Sequence, residues 1–314
     1  MPDWKEILGK IQKEVANVPE GGHLPYSPYD KYRKKYIKEL SKYTGRNVIV
    51  YYSAWLQKPN IRDVSISDMD KNGFMTNIHK MDVSKGLDLI LHTPGGDIAA
   101  TESIVDYLHQ KFDCDIRVFI PQLAMSAGTM IACACKEIYM GKQSSLGPID
   151  PQITFPSIGT VPAYAILNEI EAATQEIKSE PAKQFIWAQI ISKYNPTFIG
   201  ECRNAISWSQ EITKQWLKKC MFADDQSEKT IDKINKIVEK LGNHALTKRH
   251  SRHLSNEYCK SLGLKIVDLE SDQKLQDLVL SIHHACMITF HSTTAIKIIE
   301  NQNDKIFMLT AVQQ

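Results

Sequence analysis

No run of apolar residues in this 314-residue chain is long enough to cross a bilayer. The longest, residues 123–135 (LAMSAGTMIACAC), falls short of the roughly 20 residues that a spanning helix needs. The N-terminal stretch WKEILGKIQKEV sets acids among its apolar residues, which excludes the uninterrupted core of a signal peptide, and it lacks the basic face of an interfacial anchor. An excess of one charge is missing as well. The 38 basic residues almost balance the 36 acidic ones, so the formal net charge of +2 gives no general attraction to nucleic acid or anionic membrane. Cys114, Cys133, Cys135, Cys202, Cys220, Cys259 and Cys286 show no Cys-x-x-Cys spacing for zinc, and their odd number and scatter predict reduced thiols. These absences lead us to expect a cytoplasmic protein with no membrane segment, no nucleic-acid partner, no metal and no cofactor.

What is present is an ordinary globular composition, 43% hydrophobic and 24% charged, with enough chain for a full core. Residues 1–45 read as an N-terminal helical extension: two charged helical patterns separated by a Gly-Pro loop, the second ending on Gly45. From residue 46 to 160 strand and helix patterns alternate. NVIVYYSAW, LDLILHT, IRVFIP and EIYMG read as strands, with DMDKNGFMTNIHKM, ATESIVDYLHQKF and SAGTMIACACK as helices between them. Such alternation predicts an α/β core of parallel strands with right-handed crossovers. Residues 161–241 carry long helical periods and read as a helical insertion, and residues 242–314 as a C-terminal α/β return and tail.

Two small-residue turns in the core invite a chemical reading. In LHTPGGD the strand ends at His92 or Thr93, Pro94 fixes φ, and Gly95 and Gly96 leave backbone N–H groups unobstructed. In LAMSAGT, Ser126 opens an apolar helix, where the first N–H groups have no partner of their own. Together the turns predict an oxyanion hole from the amides of Gly95 and Ala127, with Ser126 Oγ between them as nucleophile. Singly, the first is more often just a turn and the second more often just a helix cap.

Residues 91–152 combine these turns in one order: Pro-Gly-Gly, helix, strand, Ser-Ala-Gly, strand, then SSLGPIDPQ. That run resembles the Clp-type serine proteases and signal peptide peptidases, and within them the serine dehydrogenase proteinase family. The resemblance implies a Clp/crotonase-like fold of repeated β-β-α and β-α units and serine peptidase chemistry. It matches Ser126 to the nucleophile and Gly95 and Ala127 to the oxyanion donors. It further implies an ATP-independent endopeptidase acting on peptide or protein substrates, assembled as a homo-oligomer. The chain departs from the Clp triad, which has a histidine where this sequence reads GPIDPQ. In the serine dehydrogenase proteinases the order is Ser, Asp, His, and TKRHSRHLSNEYCKSLGL is similar to their downstream segment. This matches Asp150 to the orienting carboxylate and His250 to the base.

Other readings stay open on the residues alone. Asp150 can be a turn residue, and His250 sits in a basic cluster with Lys248, Arg249, Arg252 and His253 that reads equally as a solvated loop. A Ser/Lys dyad would use Lys178 or Lys183, although flanking acids suit a surface helix better. Loss of chemistry would leave a binding scaffold, and the same oxyanion hole could serve a crotonase-like acyl-thioester enzyme. Asp68, Asp70, Asn72 and Gly73 start like a calcium loop, but the twelfth position is His79, so a helix start is expected. The neighbours His283 and His284 point to different sides of a helix and make no metal pair. Cys133 and Cys135 are expected to fill the core beneath the nucleophile helix. The helical insertion, with Trp187, Trp208 and Trp216, carries more apolar surface than it can bury alone and predicts the oligomer contacts.

Overall fold

The computed structural model describes residues 3–17, 27–61, 63–155, 159–242 and 250–311. The Gly-Pro loop and the basic residues Lys248 and Arg249 lie outside them. Helix α1 (Trp4–Ala16) is capped by Asp3, which accepts from the amide of Glu6 at 2.8 Å. Helix α2 (Pro28–Thr44) starts on a proline, whose missing N–H costs nothing there, and ends on Gly45 at φ +69. There follow β1 (Asn47–Ser53), α3 (Met69–Ile78), β2 (Leu87–His92), α4 (Ile98–Phe112), β3 (Ile116–Ile120), the short β4 (Leu123–Ala124), α5 (Ala127–Cys133) and β5 (Glu137–Met140). After β6 (Ser145–Leu146) and the hairpin β7 (Gln152–Phe155) and β8 (Gly159–Pro162) come α6 (Ala163–Ser179), α7 (Gln184–Ile191), α8 (Phe198–Trp216) and α9 (Glu228–Gly242). The chain closes with β9 (Leu254–Ser255), α10 (Asn256–Leu262), β10 (Ile266–Asp268), α11 (Gln273–Ser292), β11 (Ala295–Asn301) and β12 (Ile306–Thr310).

The main sheet runs β10-β5-β3-β2-β1-β11-β12. Its first five strands are mutually parallel, as the strand and helix alternation predicts. β11 runs antiparallel to β1, and a short turn, not a helix, joins it to β12, which is antiparallel to β11 in turn. Both faces are covered, which is why β1 and β2 read as continuous apolar runs. Ile49, Tyr51, Leu89, Leu91 and Val118 pack with α3, α4, α5 and α9 on one face. Val48, Val50, Tyr52, Ile90 and Phe119 pack with α1, α2 and α11 on the other. The N-terminal helices thus close half of the core.

Two buried ion pairs hold the antiparallel end. Arg33 of α2 donates from Nε to Glu300 at 2.9 Å, and Lys297 Nζ donates to Asp70 Oδ2 at 3.0 Å. Asp70 also accepts from the Tyr51 hydroxyl at 2.8 Å and the Ser67 amide at 2.9 Å. The calcium-like start therefore serves α3 and its lysine partner. Removing one member of such a pair leaves an uncompensated buried charge, a cost of about 3–5 kcal/mol.

The chain of 161–241 behaves in two ways. The end of α8 and all of α9 feed Trp216, Leu217, Ile237 and Leu241 into the main core. By contrast α6 and the start of α8 form a small separate cluster around Ala163, Ile166, Phe198 and Cys202, and α7 buries no residue at all. The expectation of seven reduced thiols fails for one pair, because Cys114 and Cys220 form a disulfide. Their separation of 106 residues concealed it, since only the fold brings the end of α4 to the turn after α8. Cys133, the last residue of α5, and Cys135 just after it are buried in the main core, as expected.

Candidate active site

The two turns read from the sequence are stitched to each other by backbone. Thr93 N donates to Leu123 O at 3.2 Å, and Met125 N donates to Thr93 O at 3.0 Å. From the other side Ile66 N donates to Gly95 O at 2.8 Å and Asp97 N to Ile66 O at 3.0 Å, so Gly95 and Gly96 are held between two extended segments. Gly95 stands at φ +93, and a Cβ there would lie 2.7 Å from Ser126 Cβ and 2.9 Å from Ala127 N. No side chain fits in that space. A Cβ on Gly96 would strike the backbone of Ile66.

Ser126 takes φ 52, ψ −118, which a residue with a side chain rarely adopts. Such strain costs on the order of 1–3 kcal/mol and persists only where the surroundings over-determine it. Here they do: every residue of α5 is buried, and the Ser126 carbonyl accepts from the amides of Thr129 at 2.8 Å and Met130 at 3.2 Å. Thr129 Oγ1 also accepts from Gly147 N at 2.9 Å, tying the following loop to the helix. The Ser126 side chain makes no capping bond to α5, and Ser126 lines a cleft of about 450 Å³.

His250 lines the same cleft. Its Nδ1 is 2.9 Å from Asp150 Oδ1, and Asp150 is fully buried behind it. Because the carboxylate can only accept, Nδ1 carries the hydrogen, which in the neutral ring leaves the lone pair on Nε2. Gln152 Nε2 donates to the other carboxylate oxygen at 3.1 Å. The loop bearing Asp150 is pinned by Ile149 N, which donates to Leu241 O at 3.0 Å, and by Ser209 Oγ, which donates to Ile149 O at 2.9 Å.

The structure therefore brings Gly95, Ser126, Ala127, Asp150 and His250 to one place. It redistributes the amides of the glycine turn. Gly95 N–H is donated to Thr93 Oγ1 at 3.2 Å, whereas the amides of Gly96 and Ala127 have no acceptor among the described residues. Neither lysine of the rival dyad reaches the cleft: Lys178 is exposed on α6, and Lys183 pairs with Glu180 and Glu176 at 3.3 and 3.4 Å. The hydrogen bond to Glu180 holds the Lys183 ammonium above its ordinary pKa, the reverse of what a lysine base requires. Arg252 and His253 are exposed, and Arg252 stacks over Tyr258.

Sequence reasoning missed Thr93, Thr129 and Ser209, short polar residues whose hydrogen bonds fix the turns, and it treated Trp208 only as apolar surface. It also passed over His92 at the end of β2. This ring is buried among Tyr52, Trp55 and His283, and burial pulls its pKa down to about 4 against the opposing pull of the Leu123 backbone. Its position directly before the glycine turn was the available signal.

Residues 25–304 match the family described as ClpP-like SDH-type serine proteinase. Two uncharacterized proteins of Methanocaldococcus jannaschii are similar to the chain. One is 32% identical over 239 residues, 74% of this chain and 71% of its own length. The other is 31% identical over 153 residues, so that 47% of this chain spans about half (51%) of that relative. A solved membrane-bound stomatin-specific protease aligns with 67% of this chain and 79% of its own, at 17% identity and a TM-score of 0.40. Among the described residues no helix is long and apolar enough to cross a membrane. The family match over most of its length makes this chain a member of the ClpP-like SDH-type serine proteinases.

Proposed function

We propose that the chain is an ATP-independent serine endopeptidase working through an acyl-enzyme on Ser126. The observation that carries this reading is the 2.9 Å bond between His250 and buried Asp150 in the cleft that Ser126 also lines. His250 Nε2 takes the proton from Ser126 Oγ as it attacks a peptide carbonyl, and Asp150 holds the ring and stabilises the imidazolium. The proton then passes from Nε2 to the leaving amine. A water molecule repeats the sequence to release the acid, restoring Ser126.

The carbonyl oxygen, negative in the tetrahedral intermediate, is received by the amide of Ala127 and by the glycine turn. We assign the turn's donor to Gly96, since Gly95 N–H is already engaged by Thr93. Gly95 then serves by having no side chain where Ser126 and Ala127 approach. One such donor contributes roughly 3–4 kcal/mol to lowering the barrier. Peptidase assay of the wild type beside Ser126→Ala and His250→Ala tests the reading: peptide cleavage by the wild type that survives both changes would remove it.

We also infer a homo-oligomer assembled through the α6–α7 arm. Helix α7 carries FIWAQII yet buries none of it, and Phe185 is 71% and Ile186 63% exposed, an apolar surface unlike that of a free monomer. Light scattering decides, because a mass near 35.7 kDa would defeat the inference and an integral multiple would support it.

A further inference from the structure

One wall of the cleft comes from α8, and three bonds fix it to the segments that carry the site. Trp208 Nε1 donates to Glu102 Oε2 of α4 at 3.1 Å. Its neighbour Ser209, buried, donates to the carbonyl of Ile149, the residue before Asp150, and lies 3.9 Å from Met130 Sδ, one turn beyond Ser126. Cys114 and Cys220 then repeat, farther along the same two segments, the offset of 106 residues that separates Glu102 from Trp208. The register of α8 against α4 is therefore set twice.

So anchored, Trp208 is still 39% exposed and lines the cleft, while Met130 and Ile149 in the same lining are almost wholly buried. A rigid indole presented to solvent loses little conformational entropy when something packs on it, which is why such residues dominate recognition surfaces. The lining is poor in charge: among the described lining residues only Asp97 and His250 can carry one. An acidic side chain entering beside Trp208 would meet the carboxylates of Glu102 and Asp97 and lose its water without gaining a partner there.

We propose that Trp208 is the specificity-determining residue of the cleft. With Ile98 and Ala205, half-buried in the same lining, it forms an apolar subsite for one aliphatic or aromatic side chain of the substrate, next to the bond that Ser126 attacks. Glu102 is a positioning residue that sets the plane of the indole. The proposal rests on the peptidase reading above, so it is tested by binding, without catalysis.

Hexapeptides differing at one position, bearing Leu, Phe, Ser or Asp, are titrated against Ser126→Ala protein by fluorescence polarisation. The Leu and Phe peptides are expected to bind about tenfold more tightly than the Ser and Asp peptides. Trp208→Ala in the same background should abolish that difference, Trp208→Phe should retain most of it, and circular dichroism confirms that both variants are folded. Glu102→Gln, which keeps an acceptor, should retain the ranking, while Glu102→Leu should weaken the Leu and Phe peptides several-fold and leave the Ser peptide unchanged. An unaltered ranking in folded Trp208→Ala, or no apolar preference in the starting protein, overturns the assignment. Apolar preference lost with Trp208 in a protein that never reacts with a serine-directed probe supports this subsite and overturns the hydrolase reading instead.

Discussion

Gly95→Ala adds a single carbon, and the structure says where it goes. The new Cβ would lie 2.6 Å from Met125 O, 2.7 Å from Ser126 Cβ and 2.9 Å from Ala127 N, all in the segment that carries the nucleophile. The first and last of these are backbone atoms, so no side chain can swing aside. Either the glycine turn or the Ser126 elbow must shift by several tenths of an ångström. The φ of +93 adds a conformational cost on the order of 1–3 kcal/mol for any L side chain. For a chain of this size that corresponds to a fall in melting temperature of roughly 1.5–5 °C. The larger effect falls on the chemistry, because the displaced atoms include the amide of Ala127. Losing one oxyanion donor costs about 10²- to 10³-fold in kcat. The assay is kcat and KM on a fluorogenic peptide, with thermal unfolding followed by circular dichroism in the same buffer. A folded Gly95→Ala protein that keeps the wild-type kcat would refute the placement of this turn over Ser126.

Three further outcomes follow from other parts of the molecule. His250→Ala should lower turnover by roughly 10³-fold or more, and Lys178→Ala should leave it unchanged, since Lys178 lies exposed outside the cleft; the opposite pattern in paired kinetics would move the base to lysine. His92 is neutral in the fold, with its pKa lowered to about 4, so the unfolded chain binds the extra proton between about pH 6.5 and 4. Stability is therefore full above pH 6.5 and declines as pH falls, by about 3 kcal/mol from this group alone, and urea midpoints at pH 7 and 4.5 should lie closer together in a folded His92→Gln protein. Reducing Cys114–Cys220 releases a crosslink spanning 106 residues and should cost about 2–4 kcal/mol, read as a lower urea midpoint in the presence of dithiothreitol; identical midpoints with and without reductant would contradict it.

Much of the fold is legible in the sequence because its signals are local. The apolar runs of β1 and β2, the αL glycine after α2, and the helix that follows each turn all declare themselves within a dozen residues. The hairpin of β11 and β12 is harder to read. Lys297 and Glu300 stand inside β11 fully buried, and their partners Asp70 and Arg33 are distant in sequence, so the strand looks more polar than its burial warrants. The same limit applies at the site. Ser126 and the glycine pair are legible only in combination, because the order and spacing of the two turns carry what neither turn carries alone. Which glycine amide is engaged depends on the Thr93 side chain, and no spacing rule carries that information. Asp150 and His250 are separated by a hundred residues and by the whole helical segment, and only the closed fold makes them neighbours.

The most direct test of the central claim is covalent labelling of the nucleophile. A fluorophosphonate probe added to the purified wild-type protein near neutral pH should attach once per chain, with intact-protein mass spectrometry showing the adduct and peptide mapping placing it on Ser126. Ser126→Ala should not label, and His250→Ala should label far more slowly, because Oγ would then lack the base that accepts its proton. Absence of any adduct on folded wild-type protein, or an equal rate of labelling in Ser126→Ala, would contradict the account.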